Sequence, residues 1–122
     1  MVYDVTNRES FESLTVWLNE IREHGGEDIE IILCGNKIDL FENRMVSKEE
    51  GENWASENNL KFFETSAKTN ENDCVDEAFH ELILMVSEKV IFEAREEFKQ
   101  DMMRERKTTL RMENYEDDNS CC

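Results

Sequence analysis

The sequence predicts an α/β fold on a small parallel sheet of three strands and three helices, continued by a charged helical extension and a disordered tail. Three observations carry this expectation. Short β-prone apolar runs alternate with longer stretches whose apolar residues recur at spacings of three and four. The run Ile31-Ile32-Leu33-Cys34 is unbroken, which suits a strand buried on both faces of a parallel sheet. Beyond Glu93 the continuous apolar stripe ends, so residues 1–92 read as the domain and residues 93–122 as its extension.

The elements follow in order. Met1 to Thr6 is a short, mostly apolar run that predicts the first strand. Ser10 to Glu23 predicts a helix, because Phe11, Leu14, Leu18 and Ile21 fall on one stripe that Trp17 widens, and Gly25-Gly26 ends it. Ile29 to Cys34 is the second strand. Ser47 opens the next helix with Glu50 three residues on, a capping-box spacing, and Trp54 and Ala55 supply its inner face. Lys61 to Thr65, built on Phe62-Phe63, is the third strand. A long helix follows, with Val75, Ala78, Phe79, Leu82, Ile83, Val86 and Val90 repeating at three and four. Strands alternating with helices imply right-handed crossovers and a sheet covered on both faces. Residues 93–122 hold six basic and nine acidic residues, so the helix is expected to run on to about Met112 on mixed-sign charge pairs. Asn114 to Ser120 is polar and acidic and is expected to be disordered.

Composition removes several function classes. With 122 residues the chain holds one domain. Thirty acidic residues against 14 basic ones give a net charge of -16, which argues against nucleic acid as a partner. No run of 18 apolar residues predicts a membrane-spanning helix, and no basic-then-apolar leader is present, so secretion is not expected. The absence of proline and the four glycines exclude collagen-like and Pro- or Gly-rich classes. Cys34, Cys74, Cys121 and Cys122 show neither a disulfide framework nor a CxxC zinc spacing, as expected of a reducing cytosolic compartment.

The residues that carry chemistry follow strands. Asn36-Lys37-Ile38-Asp39 comes directly after the second strand, at the carboxyl end where α/β sheets bind ligands. A fixed Asp39 carboxylate accepts two hydrogen bonds, from the ring N–H and exocyclic amine of guanine. Adenine offers no such pair on that edge, and a mismatch of this type discriminates by about 10⁴-fold or more. Asn36 ties the loop to its neighbours and reaches the base, and the Lys37 stem covers one face of a purine. Ser66-Ala67-Lys68 follows the third strand, placing an Ala67 N–H beside a guanine carbonyl and Lys68 over the base. Each motif alone matches a strand-ending turn; both together, in this order, point to a guanine site. His24 and His80 lack partner motifs, Trp17 and Trp54 read as core with Trp17 partly exposed, and Asp4 reads as a structural hydrogen-bonding residue.

With these residues in view, the chain resembles the C-terminal part of a Ras-superfamily small GTPase of the Rab type, from Met1 to about Phe92. The resemblance rests on Val2-Tyr3-Asp4-Val5-Thr6 with Ser10-Phe11, on Cys34-Gly35-Asn36-Lys37-Ile38-Asp39-Leu40, on Glu64-Thr65-Ser66-Ala67-Lys68-Thr69, and on the terminal Cys121-Cys122. It implies part of a P-loop NTPase-like sheet. It implies a GTP/GDP-binding switch in vesicle-mediated transport, with guanine specificity at Asn36, Lys37, Asp39, Ser66, Ala67 and Lys68. It also implies lipidation by the prenylation machinery at Cys121 and Cys122, a place in the cytosol and on the cytoplasmic face of intracellular membranes, and exchange factors and effectors as partners.

The departures are informative. The 122 residues contain no GxxxxGK(S/T) phosphate loop, no switch Thr for Mg²⁺ and no DxxG motif with its Gln, so no catalytic residue and no metal ligand is assigned. This chain by itself is therefore expected not to hydrolyse GTP. The segment between Thr69 and Val75 is about two residues longer than in common Rabs. The alternative reading is a truncated, non-hydrolysing, lipidated interaction module.

Overall fold

A computed structural model describes residues 1–26 and 28–118. The chain divides into two units, Met1–Met85 and the residues from Val86 onward, a boundary ahead of the composition change at Glu93. The first unit contains strands β1 (Val2–Asp4), β2 (Ile32–Asn36) and β3 (Lys61–Glu64), helices α1 (Arg8–Glu12), α2 (Leu14–Gly25) and α3 (Lys48–Glu57), and the start of α4 (Cys74–Asp118). The three strands form one parallel sheet in the order β1-β2-β3, as expected.

Strand register explains where β2 differs from expectation. The apolar run begins at Ile29, yet the strand begins at Ile32 and continues to Asn36. A residue joins a ladder only where a neighbour offers partners. Val2, Tyr3 and Asp4 pair with Cys34, Gly35 and Asn36, and Lys61 pairs with Ile32. Ile29 lies outside both ladders and is 46% exposed. The sheet is thereby displaced toward the loop that carries Asn36-Lys37-Ile38-Asp39.

The pleat sends alternate β2 residues to opposite faces. Leu33 joins Tyr3, Val5, Leu14, Val46 and Ala55 in one cluster, whereas Ile32 and Cys34 pack with Ala78, Phe63, Leu82 and Met85 in the other. Both faces of the sheet are therefore covered, the second, among the described residues, by α4. Burial pushes the Cys34 thiol above its usual range, as befits a core residue.

The helix expected over Ser10–Glu23 is two helices that meet at Ser13, whose hydroxyl donates to the Glu9 carbonyl at 2.9 Å. Asn7 caps the first, accepting from the Ser10 N–H. Helix α3 carries the anticipated capping box. Ser47 Oγ accepts from the Glu50 N–H at 3.2 Å, and Glu50 Oε2 accepts from the Ser47 N–H at 2.9 Å. Arg8 reaches across to Glu50 Oε1 at 2.6 Å, and with Ser47 it holds the Glu50 carboxyl down at about 2.

Two expectations about burial are corrected. Trp17 is 61% exposed because Leu14 and Leu18 take the buried side of α2. On α4, Ala78, Leu82 and Met85 face the sheet cluster, while Phe79, Ile83, Val86 and Val90 are exposed. Strand β1 is an edge among the described residues, pairing with β2 alone, and Val2 is 67% exposed.

In the second unit α4 continues to Asp118, past the end expected near Met112, so the backbone of residues 114–118 is helical rather than disordered. No proline interrupts it, and mixed-sign pairs such as Lys99 with Glu96 at 2.5 Å and Arg104 with Asp101 at 3.6 Å support it. Cys121 and Cys122 lie outside the described residues. No helix among the described residues is long and apolar enough to cross a membrane.

Candidate functional site

The carboxyl ends of the three strands converge because the strands are parallel and adjacent. Val5 N donates to Asn36 O at 3.0 Å, and Thr65 N donates to Gly35 O at 2.8 Å, extending the ladders to the last residues before the loops. The residues after β2 and after β3 are thereby neighbours.

Asn36 is the hub between them. Its Oδ1 accepts from the Ala67 N–H at 3.0 Å and from Thr65 Oγ1 at 3.2 Å. The sequence suggested an Ala67 N–H directed at a ligand carbonyl; here that N–H is taken by Asn36. Asp39 is fixed from the same loop, since Ser66 Oγ donates to its Oδ1 at 2.7 Å. Among the described residues no group donates to its second oxygen. Ser66 is 2% exposed, and its hydroxyl in turn accepts from Thr69 N at 3.3 Å and Thr69 Oγ1 at 2.9 Å. Ile38 N donates to Thr65 O at 3.3 Å, so the two loops are joined through backbone as well.

Lys37 lies between these anchors with φ 69. A left-handed backbone costs a lysine roughly 1–2 kcal/mol. Among the described residues with positive φ, the others are Gly, Asn or Asp, which tolerate that region better. The turn is closed by Leu40 N donating to Lys37 O at 3.0 Å. The ammonium crosses to β1, where it meets Asp4 Oδ2 at 2.5 Å. Burial raises the Asp4 carboxyl, but the hydrogen bonds from Lys37 and Thr6 outweigh it and hold the group below the ordinary range. Lys68 is exposed at the rim.

Asn36, Lys37, Asp39, Ser66, Ala67 and Lys68 are therefore brought together from two loops. Sequence reasoning missed four supporting residues. Thr65 and Thr69 flank Ser66-Ala67-Lys68 and were visible only as part of the run. Cys74 accepts from Ser66 N at 3.4 Å and Asn70 accepts from Val75 N at 3.0 Å, so the start of α4 braces the same loop. The segment between Thr69 and Val75 contains a 3₁₀ turn at Glu71–Asp73, with Asn70, Asn72 and Asp73 all in the left-handed region. No spacing rule marked Cys74. Among the described residues no three His, Cys, Asp or Glu side chains converge to hold a metal ion.

The sequence profile of the Ras family matches residues 1–88. The chain belongs to the Ras family. Its relatives are of the Rab type. Ras-related protein SEC4 of Candida albicans is 45% identical over 93 residues, covering 76% of this chain and 43% of that protein. Ras-related protein Rab-10 of Diplobatis ommata is 49% identical over 79 residues, covering 65% of this chain and 38% of that protein. The chain spans less than half the length of these curated relatives. The parallel sheet and its helices are part of the Ras-like P-loop NTPase fold of this Rab-type small GTPase.

Proposed function

We propose that this chain is the guanine-recognising part of a Rab-type GTP/GDP switch in vesicle-mediated transport. The single observation that carries the reading is the coupling of the two loops. Asn36 Oδ1 binds the Ala67 N–H, and Ser66 Oγ binds Asp39 Oδ1, so both base-recognition segments are held as one rigid wall. In that wall Asp39 accepts the ring N–H and amine of guanine, Lys37 and Lys68 cover the base, and Asn36 and Ser66 keep the geometry without induced movement. Bound nucleotide brings its own phosphates, for which this chain supplies no GxxxxGK(S/T) cradle. Lipids on Cys121 and Cys122 would hold the protein to the cytoplasmic face of a membrane, and exchange factors and effectors would read its nucleotide state.

A calorimetric comparison of GDP, ADP and xanthosine diphosphate tests the assignment. Asp39→Asn presents an amide donor where the carboxylate accepted, and xanthine offers an oxygen there. The substitution is expected to weaken GDP and favour the xanthine nucleotide; an unchanged GDP preference refutes the role of Asp39. The second reading, a lipidated interaction module that hydrolyses nothing, is favoured by one observation on these residues: no phosphate-loop motif occurs among them. Measurable GTP turnover by this chain would end that reading.

A further inference from the structure

The ion pair between Asp4 and Lys37 joins a third strand to the candidate site. The register places Asp4 beside Asn36, so the last residue of β1 abuts the residue that precedes Lys37. The two oxygens of Asp4 divide their work. Oδ1 accepts from Thr6 N at 2.9 Å and Thr6 Oγ1 at 2.6 Å, closing the turn out of β1. Oδ2 meets the Lys37 ammonium at 2.5 Å. The first set of bonds completes a local turn; the second takes no part in it and restrains only the lysine.

That restraint matters because of where Lys37 sits. It occupies an unfavourable left-handed backbone between Asn36 and Asp39, both pinned to the loop after β3. Its side chain is half exposed, so without a partner the long stem would sample many rotamers. The Asp4 side chain, at 22% exposure, gives the ammonium one place to go. We infer that Asp4 is a positioning residue for nucleotide recognition: by holding the Lys37 ammonium at the end of β1, it sets the lysine stem across the mouth of the guanine pocket. This inference rests on the guanine reading above.

The test is a double-mutant cycle on the full chain. GDP is titrated with ADP as control, followed by NMR shifts of the Ala67 amide. Asp4→Asn keeps an oxygen for Thr6 and removes the charge that holds Lys37. It is expected to keep a cooperative melt, lowered by at most about 8 °C because the pair is also lost from the free fold, and to weaken GDP by about two- to fivefold, the span of a partly exposed ion pair. In a Lys37→Met background the same change is expected to have no further effect. Equal losses in both backgrounds, or no loss in either, overturn the proposal and leave Asp4 a turn residue. If Asp4→Asn does not fold, Asp4→Ser replaces it in the cycle; failure of both to fold also assigns Asp4 to the turn alone. A wild-type chain that does not distinguish GDP from ADP refutes the guanine reading itself, whereas retained GDP preference with additive variants refutes only the role of Asp4.

Discussion

Replacing Gly51 by alanine tests how closely α3 lies on the sheet. A β-carbon at position 51 would lie 2.4 Å from Tyr3 Oη, 2.6 Å from Phe62 Cζ and 2.8 Å from Phe62 Cε2. Tyr3 has no room to retreat. On its other side a β-carbon at Gly35 would lie 2.7 Å from the same Oη and 2.9 Å from Cζ, so the ring tip is held between two glycines. Its ring also packs edge-on to Phe11 at 5.1 Å. In an open helix, alanine for glycine is worth about 1 kcal/mol of stability. Overpacking a close-packed core costs about 1–3 kcal/mol, and contacts on two aromatic rings put this site near the upper end. The net loss is about 2 kcal/mol, or a fall in melting temperature of about 8–16 °C for a unit of this size. Thermal melts followed by circular dichroism measure it. A control sharpens the cause: Tyr3 Oη is buried and has no hydrogen-bond partner among the described residues, so Tyr3→Phe is expected to be neutral or to stabilise by about 1 kcal/mol. In that background Gly51→Ala still meets Phe62, and its cost should shrink without vanishing. A Gly51→Ala chain that melts at or above the wild-type temperature would show that α3 stands off the sheet and would refute this packing.

Other outcomes follow from the same geometry. Because Glu50 sits at about 2 in the folded chain against an ordinary 4.5, its pairing with Arg8 and Ser47 stabilises the fold fully above that ordinary value, and the contribution is lost as pH falls from 4.5 toward 2; Arg8→Met should flatten the acid limb of a stability-against-pH curve, and an unchanged limb would contradict the pairing. Tyr3, raised to about 12 by burial and then by Glu64, stays neutral in the fold, so stability should decline as pH rises from 10 toward 12 in wild type but not in Tyr3→Phe, as alkaline melts will show. Cys121→Ser combined with Cys122→Ser is expected to move the protein from membranes to the soluble fraction, since an acidic tail adds no attraction to anionic lipid and two lipid chains must anchor alone; continued membrane residence on fractionation would count against lipidation there. Strand β1 is an edge among the described residues with Val2 exposed, and such an edge favours pairing between copies; the chain is expected to self-associate in sedimentation and Val2→Lys to reduce this without lowering the melting temperature, whereas a monomeric wild type or an unchanged profile would show that the edge is not a contact.

What the sequence determined alone were the features that depend on near neighbours. Alternating strand and helix patterns, the unbroken Ile31-Ile32-Leu33-Cys34 run and the Ser47–Glu50 capping box are local signals, and the parallel α/β sheet with its capped α3 followed from them. The two segments proposed to recognise the base were legible as neighbours because each follows a strand that ends at the same edge of a parallel sheet. Tertiary structure decided what depends on partners distant in the chain. Ladder partners in β1 and β3 moved β2 from Ile29–Cys34 to Ile32–Asn36, since a strand exists only where another strand bonds it. The division of the α4 stripe into buried Ala78 and exposed Phe79 and Ile83 depends on which residues meet Ile32 and Cys34 of the sheet, which periodicity does not encode. The Lys37 backbone at φ 69, the turn of its ammonium to Asp4 and the diversion of the Ala67 N–H to Asn36 arise from loops meeting in space, and no spacing along the chain carries that information.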